Sequence, residues 1–340
     1  MNMNRAYPFS EFLAEYAQSA RPSLPYDGED LDAWRAAFRN ALADLRGPEI
    51  ARVPLKVHVD DVVKEEDHVR ERVYFDSVVG VRVAADMLVP LGLEPGEKRP
   101  ALLCLHGHTS DGRSNVTGTS DSTPKSEAYA LDFVRAGFVT ITPDWLGWGE
   151  RVEDEGVIGD GRDKCNVAFV AGQMWGVDLL SLMISDGEAT LDYLMTRDEV
   201  DHDRIGCVGL SFGGRMTMYL AAMDHRIKTA VTAGCLNLFE ERSLKMKSCG
   251  AQFFPGILRY GDVGEVLALI APKPSCHVYG TADPLLNTED VAQIRSILED
   301  VYTRMGCSDA LGFVEHDGAH VFPTDLAVRW LLDALTMAKE

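Results

Sequence analysis

Short apolar runs separated by helix-length amphipathic stretches set the rhythm of most of the chain. Residues 101–105, 138–142, 205–210, 227–231, 275–279 and 311–315 are nearly continuous in hydrophobic character, as expected of short strands buried on both faces. Helical periodicity falls at 126–135, 175–195, 213–223, 288–304 and 324–338. Strands alternating with helices predict an α/β fold whose mostly parallel sheet is covered by helices on both faces. Ahead of this region, segments at 55–59, 69–75 and 81–89 alternate with the period of half-buried strands and predict an antiparallel start to the sheet. The first fifty residues carry two amphipathic helices, at 8–20 and 29–46, the second opening with acidic residues and stopping before Gly47-Pro48. The expected organisation is a helical extension over 1–52 and one α/β domain over 53–340, built on an eight-stranded twisted sheet, with no internal repeat or low-complexity linker.

Composition narrows the picture. With 340 residues, 46% hydrophobic and 25% charged, the chain can bury a large core. The formal net charge of -20, with no block rich in Lys or Arg, opposes approach to nucleic acid or an anionic membrane. The N-terminus has no apolar run of signal-peptide length, and nowhere do roughly eighteen apolar residues run together. A soluble, cytoplasmic protein is therefore expected. Seven cysteines are scattered without any C-x-x-C, which fits reduced thiols better than a disulfide framework. Cys104 and Cys207 fall inside expected strands rather than at their ends, which argues against a cysteine nucleophile there.

Candidate chemistry begins at Gly209-Leu-Ser-Phe-Gly213, a G-x-S-x-G between an apolar strand and a helical run. A serine in such a strand-turn-helix junction is held above the end of the sheet, where its hydroxyl is useful as a nucleophile. The pentapeptide alone arises by chance in about one chain in ten of this length, so its partners matter. Functional groups of parallel sheets collect just past the carboxyl ends of the strands. There the chain places Asp283, in Gly-Thr-Ala-Asp-Pro, and His320, in His316-Asp-Gly-Ala-His-Val-Phe. The order Ser, Asp, His is that of α/β-hydrolases. Ser211 is read as nucleophile, His320 as general base and Asp283 as the acid that orients it. Asp317 is held as a reserve acid and His316 as a competing base, and Asp283 could instead serve only a turn before Pro284.

An oxyanion needs two backbone N–H groups: that of Phe212, next after the serine, and one from the His106-Gly-His108 loop, assigned by position to His108. His106 and His108 are also a metal-ligand type, but no third ligand stands at a workable spacing. They are read as shaping the loop, and neither a metal nor a cofactor is expected.

Together with Asp144-Trp-Leu-Gly-Trp-Gly-Glu-Arg151, these motifs resemble α/β-hydrolases of the acetyl-xylan-esterase-like and dienelactone-hydrolase-like branch, from about residue 53 to the C-terminus. The resemblance implies a cofactor-free carboxylic ester hydrolase with nucleophile, acid and base at Ser211, Asp283 and His320. Dienelactone hydrolases proper are shorter and carry a cysteine where Ser211 stands. A Gly-rich, charged excursion at 152–173, with Trp145, Trp148, Phe169 and Trp175, is a candidate wall for the substrate pocket, core packing being the competing reading, above all for Trp175. Glu150 and Arg151 are expected in structural ion pairs. The expected substrate is a small acyl ester, acetyl esters of a sugar being favoured. A prolyl-oligopeptidase-type peptidase and a non-catalytic binding protein of the same fold are the alternatives. The N-terminal helices are a candidate lid or homo-oligomer contact.

Overall fold

The structure is a computed structural model that describes residues 8–48, 50–121, 127–153 and 164–337. Its centre is a sheet of nine strands among the described residues, in the order β1-β2-β3-β5-β4-β6-β7-β8-β9. These are β1 His58–Lys64, β2 His68–Val78, β3 Val81–Pro90, β4 Arg99–Leu105, β5 Val139–Pro143, β6 Val200–Leu210, β7 Thr229–Ala233, β8 Ser275–Gly280 and β9 Leu311–His316. The run from β5 through β9 is parallel, and β1, β2 and β3 join it as antiparallel neighbours.

The expected count of eight strands is one short. Each of the nine strands overlaps one of the nine segments read at strand period, and the first, β1, starts three residues later than the segment read at 55–59. Its sequence, His-Val-Asp-Asp-Val-Val-Lys, is exposed along almost its whole length, so burial contributes little to a periodic pattern there. It lies at the sheet edge, where charged side chains also discourage further strand pairing.

Alternation along the central strands feeds two cores. Leu103, Leu105 and Cys207 point to one face, and Leu102, Cys104, Val208 and Leu210 to the other, as the two-residue period of a strand requires. The first face is covered by α2 (Leu31–Arg46), α6 (Leu179–Leu194), α7 (Phe212–Met223), α9 (Val263–Ala268) and α10 (Thr288–Arg304); the second by α4 (Tyr129–Arg135) and α11 (Thr324–Met337). α2 begins after the N-cap Asp30, whose carboxylate accepts the Ala33 N–H, and stops at Gly47. It buries Trp34, Phe38 and Leu42 in the core of the first face. Arg35, also buried, donates to the carbonyls of Ala268 (2.7 Å), Leu269 and Ala271, supplying donors to carbonyls that the end of α9 leaves unpaired. By contrast α1 (Phe9–Ser19) buries no residue.

The helix expected at 175–195 is α6, which starts four residues later, and a further helix, α5 (Lys164–Met174), precedes it across a break. Gly176 takes φ 70°, and Asp178 caps α6 by accepting the Ser181 N–H at 2.9 Å. A left-handed glycine followed by an N-cap restarts the helix. Trp175, in that break, is 87% exposed, so the core-packing reading does not apply to it. Three short helices went unread in the sequence pattern: α3 (Arg113–Val116), α8 (Phe239–Leu244) and α9. Of the excursion at 152–173, residues 154–163 lie outside the described residues, and 164–173 belong to α5. No single helix among the described residues is long and apolar enough to cross a membrane.

Candidate active site

Ser211 sits where β6 turns into α7, at φ 61° and ψ -116°. A non-glycine residue with positive φ is strained, by about 1–3 kcal/mol, and persists only where its surroundings over-determine it. Here they do. The Ser211 N–H donates to the Ala233 carbonyl at 2.8 Å, tying the turn to the end of β7. A Cβ on Gly209 would collide with the Gly213 backbone, and one on Gly213 with the Leu105 carbonyl. The glycines of the motif thus permit close approach of β6, α7 and β4, while the serine itself takes the unusual conformation.

His320 and Asp283 come together as read. His320 Nδ1 and Asp283 Oδ2 are 2.6 Å apart, and the carboxylate is almost fully buried. Asp283 Oδ1 also accepts the Leu285 N–H at 2.8 Å, so turn residue and histidine partner are one carboxylate using its two oxygens. The imidazole lies over Gly234, where a Cβ would come within 2.7 Å of its Cε1. Gly234 directly follows Ala233, the acceptor of the Ser211 N–H, so the serine and the imidazole flank one strand end. The competing histidine is occupied elsewhere: His316 Nδ1 accepts the Gly318 N–H at 3.1 Å. The reserve acid Asp317 is exposed, and the partner of His320 is Asp283.

The other side of Ser211 is the loop after β4. A Cβ on Gly107 would lie 3.4 Å from Ser211 Cβ, which puts this loop against the serine. His106 is buried and locks it: Nε2 accepts the Trp145 N–H at 3.1 Å and Nδ1 donates to the Gly107 carbonyl at 2.8 Å. Burial pulls its imidazole down to about 4, so the ring is neutral at pH 7. Phe212 opens α7, and its N–H has no acceptor within the helix. Its ring is buried against Trp148 (5.4 Å between centroids) and against the exposed His108 (4.9 Å). Trp145 is fully buried beneath the His106 loop, a packing position. Phe169 lines a cavity of about 400 Å3 with Phe239, Phe253, Ser248 and Gly250.

Two supporting networks were not legible in the sequence. Asp144, fully buried, accepts the Arg113 N–H at 2.7 Å and the Glu150 N–H at 3.0 Å, and pairs with the Arg113 guanidinium. Side chains on Gly112 or Gly149 would occupy the space of that carboxylate. Glu150 pairs with Arg72 at 2.6 Å and with Arg113, and Arg151 with Asp186 at 2.7 Å, the structural ion pairs expected of them. The second network supports the acid: Arg215 on α7 donates to the Asn237 carbonyl and side-chain oxygen, and Asn237 Nδ2 donates to the Leu285 carbonyl at 3.3 Å. Only the run Asp144 to Arg151 hinted at the first. The partners of both lie far apart in the chain.

A third group is also outside the motifs. His108 Nε2 lies 3.1 Å from Cys249 Sγ, and Cys165 Sγ completes the cluster, with all three donor atoms within 4.8 Å of one another. The Cys249 thiol is drawn down from its ordinary range by hydrogen bonds from Cys165 and His108, against the upward pull of burial. No cysteine among the described residues is in a disulfide.

A sequence model of the Abhydrolase family matches residues 15–293. The chain belongs to this family. As an Abhydrolase family member it has the α/β-hydrolase fold expected from its motifs, and the match takes in Ser211 and Asp283 but ends before His320. It is 27% identical over 297 residues, 84% of this chain and 94% of the relative, to the "Putative hydrolase YtaP" of Bacillus subtilis (strain 168). Among solved structures it is similar to a "putative acetyl xylan esterase" of Bacteroides fragilis, with a TM-score of 0.80 at 16% identity, covering 98% of this chain and 96% of that one. It is also similar to the glucuronoyl esterase of Solibacter usitatus, with a TM-score of 0.67 at 16% identity over 98% of each chain.

Proposed function

We propose that this Abhydrolase family protein is a serine carboxylesterase that hydrolyses small acyl esters, acetyl esters of a sugar foremost. The observation that carries the reading is the 2.6 Å pair of His320 Nδ1 with the buried Asp283 carboxylate beside a serine at φ 61°. With Nδ1 engaged by Asp283, Nε2 is the nitrogen for proton transfer. It takes the Ser211 hydroxyl proton as Oγ bonds to the ester carbonyl carbon, and returns that proton to the departing alcohol oxygen as the acyl–oxygen bond breaks. Water then repeats the sequence on the acyl-enzyme and releases the acid. Asp283 keeps the imidazole in the required tautomer and stabilises the imidazolium. The N–H groups of Phe212 and His108 receive the negative oxygen of each tetrahedral intermediate, a contribution of about 3–4 kcal/mol per donor. The names of the similar structures, an acetyl xylan esterase and a glucuronoyl esterase, favour esters of sugars as substrates.

The test is a panel of p-nitrophenyl esters of increasing acyl length, run beside acetylated sugars and methyl esters of uronic acids. Turnover of p-nitrophenyl acetate that falls with acyl length and is abolished by Ser211→Ala is expected, together with fluorophosphonate labelling at Ser211. Preference for aminoacyl-p-nitroanilides over esters would reverse the reading in favour of a peptidase, and an unlabelled Ser211 would favour a binding protein.

A further inference from the structure

The cluster of His108, Cys165 and Cys249 does not belong to the proposed proton relay, and each of its members comes from a different part of the fold. His108 stands in the loop after β4, Cys165 in the first turn of α5, and Cys249 directly before the 3-10 turn Gly250–Gln252. Residues 57 and 84 positions apart along the chain meet only in space, which is why a spacing argument for metal ligands fails on this sequence. The one ligand pair that spacing did suggest, His106 with His108, is not the pair the fold assembles: His106 spends both ring nitrogens on the loop and on Trp145.

Three features make the cluster a built site. The turn that carries Cys249 is tied to the helix that carries Cys165, because the Gly250 N–H donates to Asn166 Oδ1 at 2.8 Å. Gly250 is packed so closely on Phe169 of the same helix that a Cβ there would overlap its ring. The imidazole of His108 is held between the rings of Trp148 (5.1 Å) and Phe212 (4.9 Å). Rigid neighbours of this kind fix ligand direction, which is the larger part of a metal site's design.

The donor separations also fit. Zinc bonds of about 2.3 Å to sulfur and about 2.0–2.1 Å to nitrogen put tetrahedral ligands roughly 3.5–3.8 Å apart. The 3.1 Å approach of His108 to Cys249 and the 4.8 Å limit on the set bracket that spacing, so adjustments of about 1 Å or less suffice. We propose that His108 Nε2, Cys165 Sγ and Cys249 Sγ form a binding site for a thiophilic divalent cation of the zinc type. Two sulfurs and one imidazole are a soft to borderline donor set that disfavours magnesium and calcium. No fourth His, Cys, Asp or Glu joins the group among the described residues, so the fourth coordination position is left to water or a small ligand. The ion enters from the exposed side of His108. Binding replaces the thiol protons of Cys165 and Cys249, which leave to solvent, and anchors the loop beside Ser211 to α5.

The experiment uses the full chain, reduced and stripped with a chelator, and titrates it with Co2+ while recording the thiolate-to-cobalt absorption band. One cobalt per chain, displaced by Zn2+, is expected. Cys165→Ser and Cys249→Ser should each weaken binding by about tenfold or more, whereas Cys307→Ser, a thiol far outside the cluster in sequence and not among its donors, should leave it unchanged. In the unaltered protein, Zn2+ should protect Cys165 and Cys249 from alkylation as mapped by mass spectrometry, a readout that does not depend on how well the variants fold. Absence of the cobalt band, or an equal band in the Cys165→Ser, Cys249→Ser double variant, overturns the proposal. So does a Cys165–Cys249 disulfide in protein that binds no cobalt after reduction, which would make the two thiols a redox pair. None of these readouts uses esterase activity, so the outcome is independent of the proposed triad.

Discussion

The loops at the ends of β4 and β9 each carry two histidines, His106 with His108 and His316 with His320, and in both the first serves the loop while the second reaches a distant partner. His106 gives both nitrogens to the backbone of its own loop and of Trp145, and His316 accepts the Gly318 N–H. The second histidines part company in what they meet. His320 faces a buried carboxylate, a hard acceptor that stabilises a positive imidazole and so favours proton transfer. His108 faces two sulfurs, soft donors better suited to a cation or to redox chemistry. Two similar loops on either side of one serine thus acquire different chemistry from the residue that the rest of the fold brings to each second histidine.

The sharpest way to break this division is to exchange the roles within the β9 loop. His320→Ala is expected to lower kcat on p-nitrophenyl acetate by about a thousandfold or more, as loss of a triad member does. His316→Ala removes one loop hydrogen bond worth about 1 kcal/mol, and its loss in kcat should stay within about tenfold. Steady-state kinetics of the two variants decide it: comparable losses would mean that the loop histidine takes part in proton transfer, and the division between first and second histidine would fall.

The β4 loop sharpens the same contrast in stability rather than rate. His106→Ala leaves a cavity and a buried Trp145 N–H without its acceptor, which should cost about 2–4 kcal/mol. His108→Ala, at an exposed position, should cost less than about 1 kcal/mol. Urea unfolding of the two proteins measures the difference, and equal losses would show that His106 does not lock the loop.

What the chain discloses about itself follows the same line between local and distant. The continuous strands, the strained serine turn and the order Ser211, Asp283, His320 are legible because each rests on a short pattern at the end of an apolar run. The acid could be told from a mere turn residue only in three dimensions, since Asp283 uses one oxygen for Leu285 and the other for His320. Edge strand β1 is read three residues too early because an exposed strand has no buried face to impose a period. Helix α5 lies inside the stretch read as an excursion, and Gly176 and Asp178 mark the stop and the restart that separate it from α6. Asp144 with Arg113 leaves only the run Asp144 to Arg151 as a trace, and Arg215 with Asn237 and the thiols gathered on His108 leave none, because their meaning is a contact between separate elements.

The last effect concerns the locked histidines as buried neutral groups. Burial pulls His106 down to about 4 and His277, which bonds Thr232 at 2.9 Å and Ser275 at 3.2 Å, down to about 3. In the unfolded chain each takes up a proton as pH falls through about 6.5, while the folded protein resists until about 4 or below. The unfolded state therefore binds more protons in this window, and stability that is complete above pH 6.5 declines as pH is lowered toward 4. The slope from each histidine approaches about 1.4 kcal/mol per pH unit. Urea midpoints taken at pH 7.5, 6 and 5 should fall accordingly, and His277→Asn should make the fall shallower while leaving the share of His106 in place. A midpoint unchanged between pH 6 and pH 5 would mean that both rings accept protons in the folded protein, and that His106 is not held as the neutral clamp of its loop.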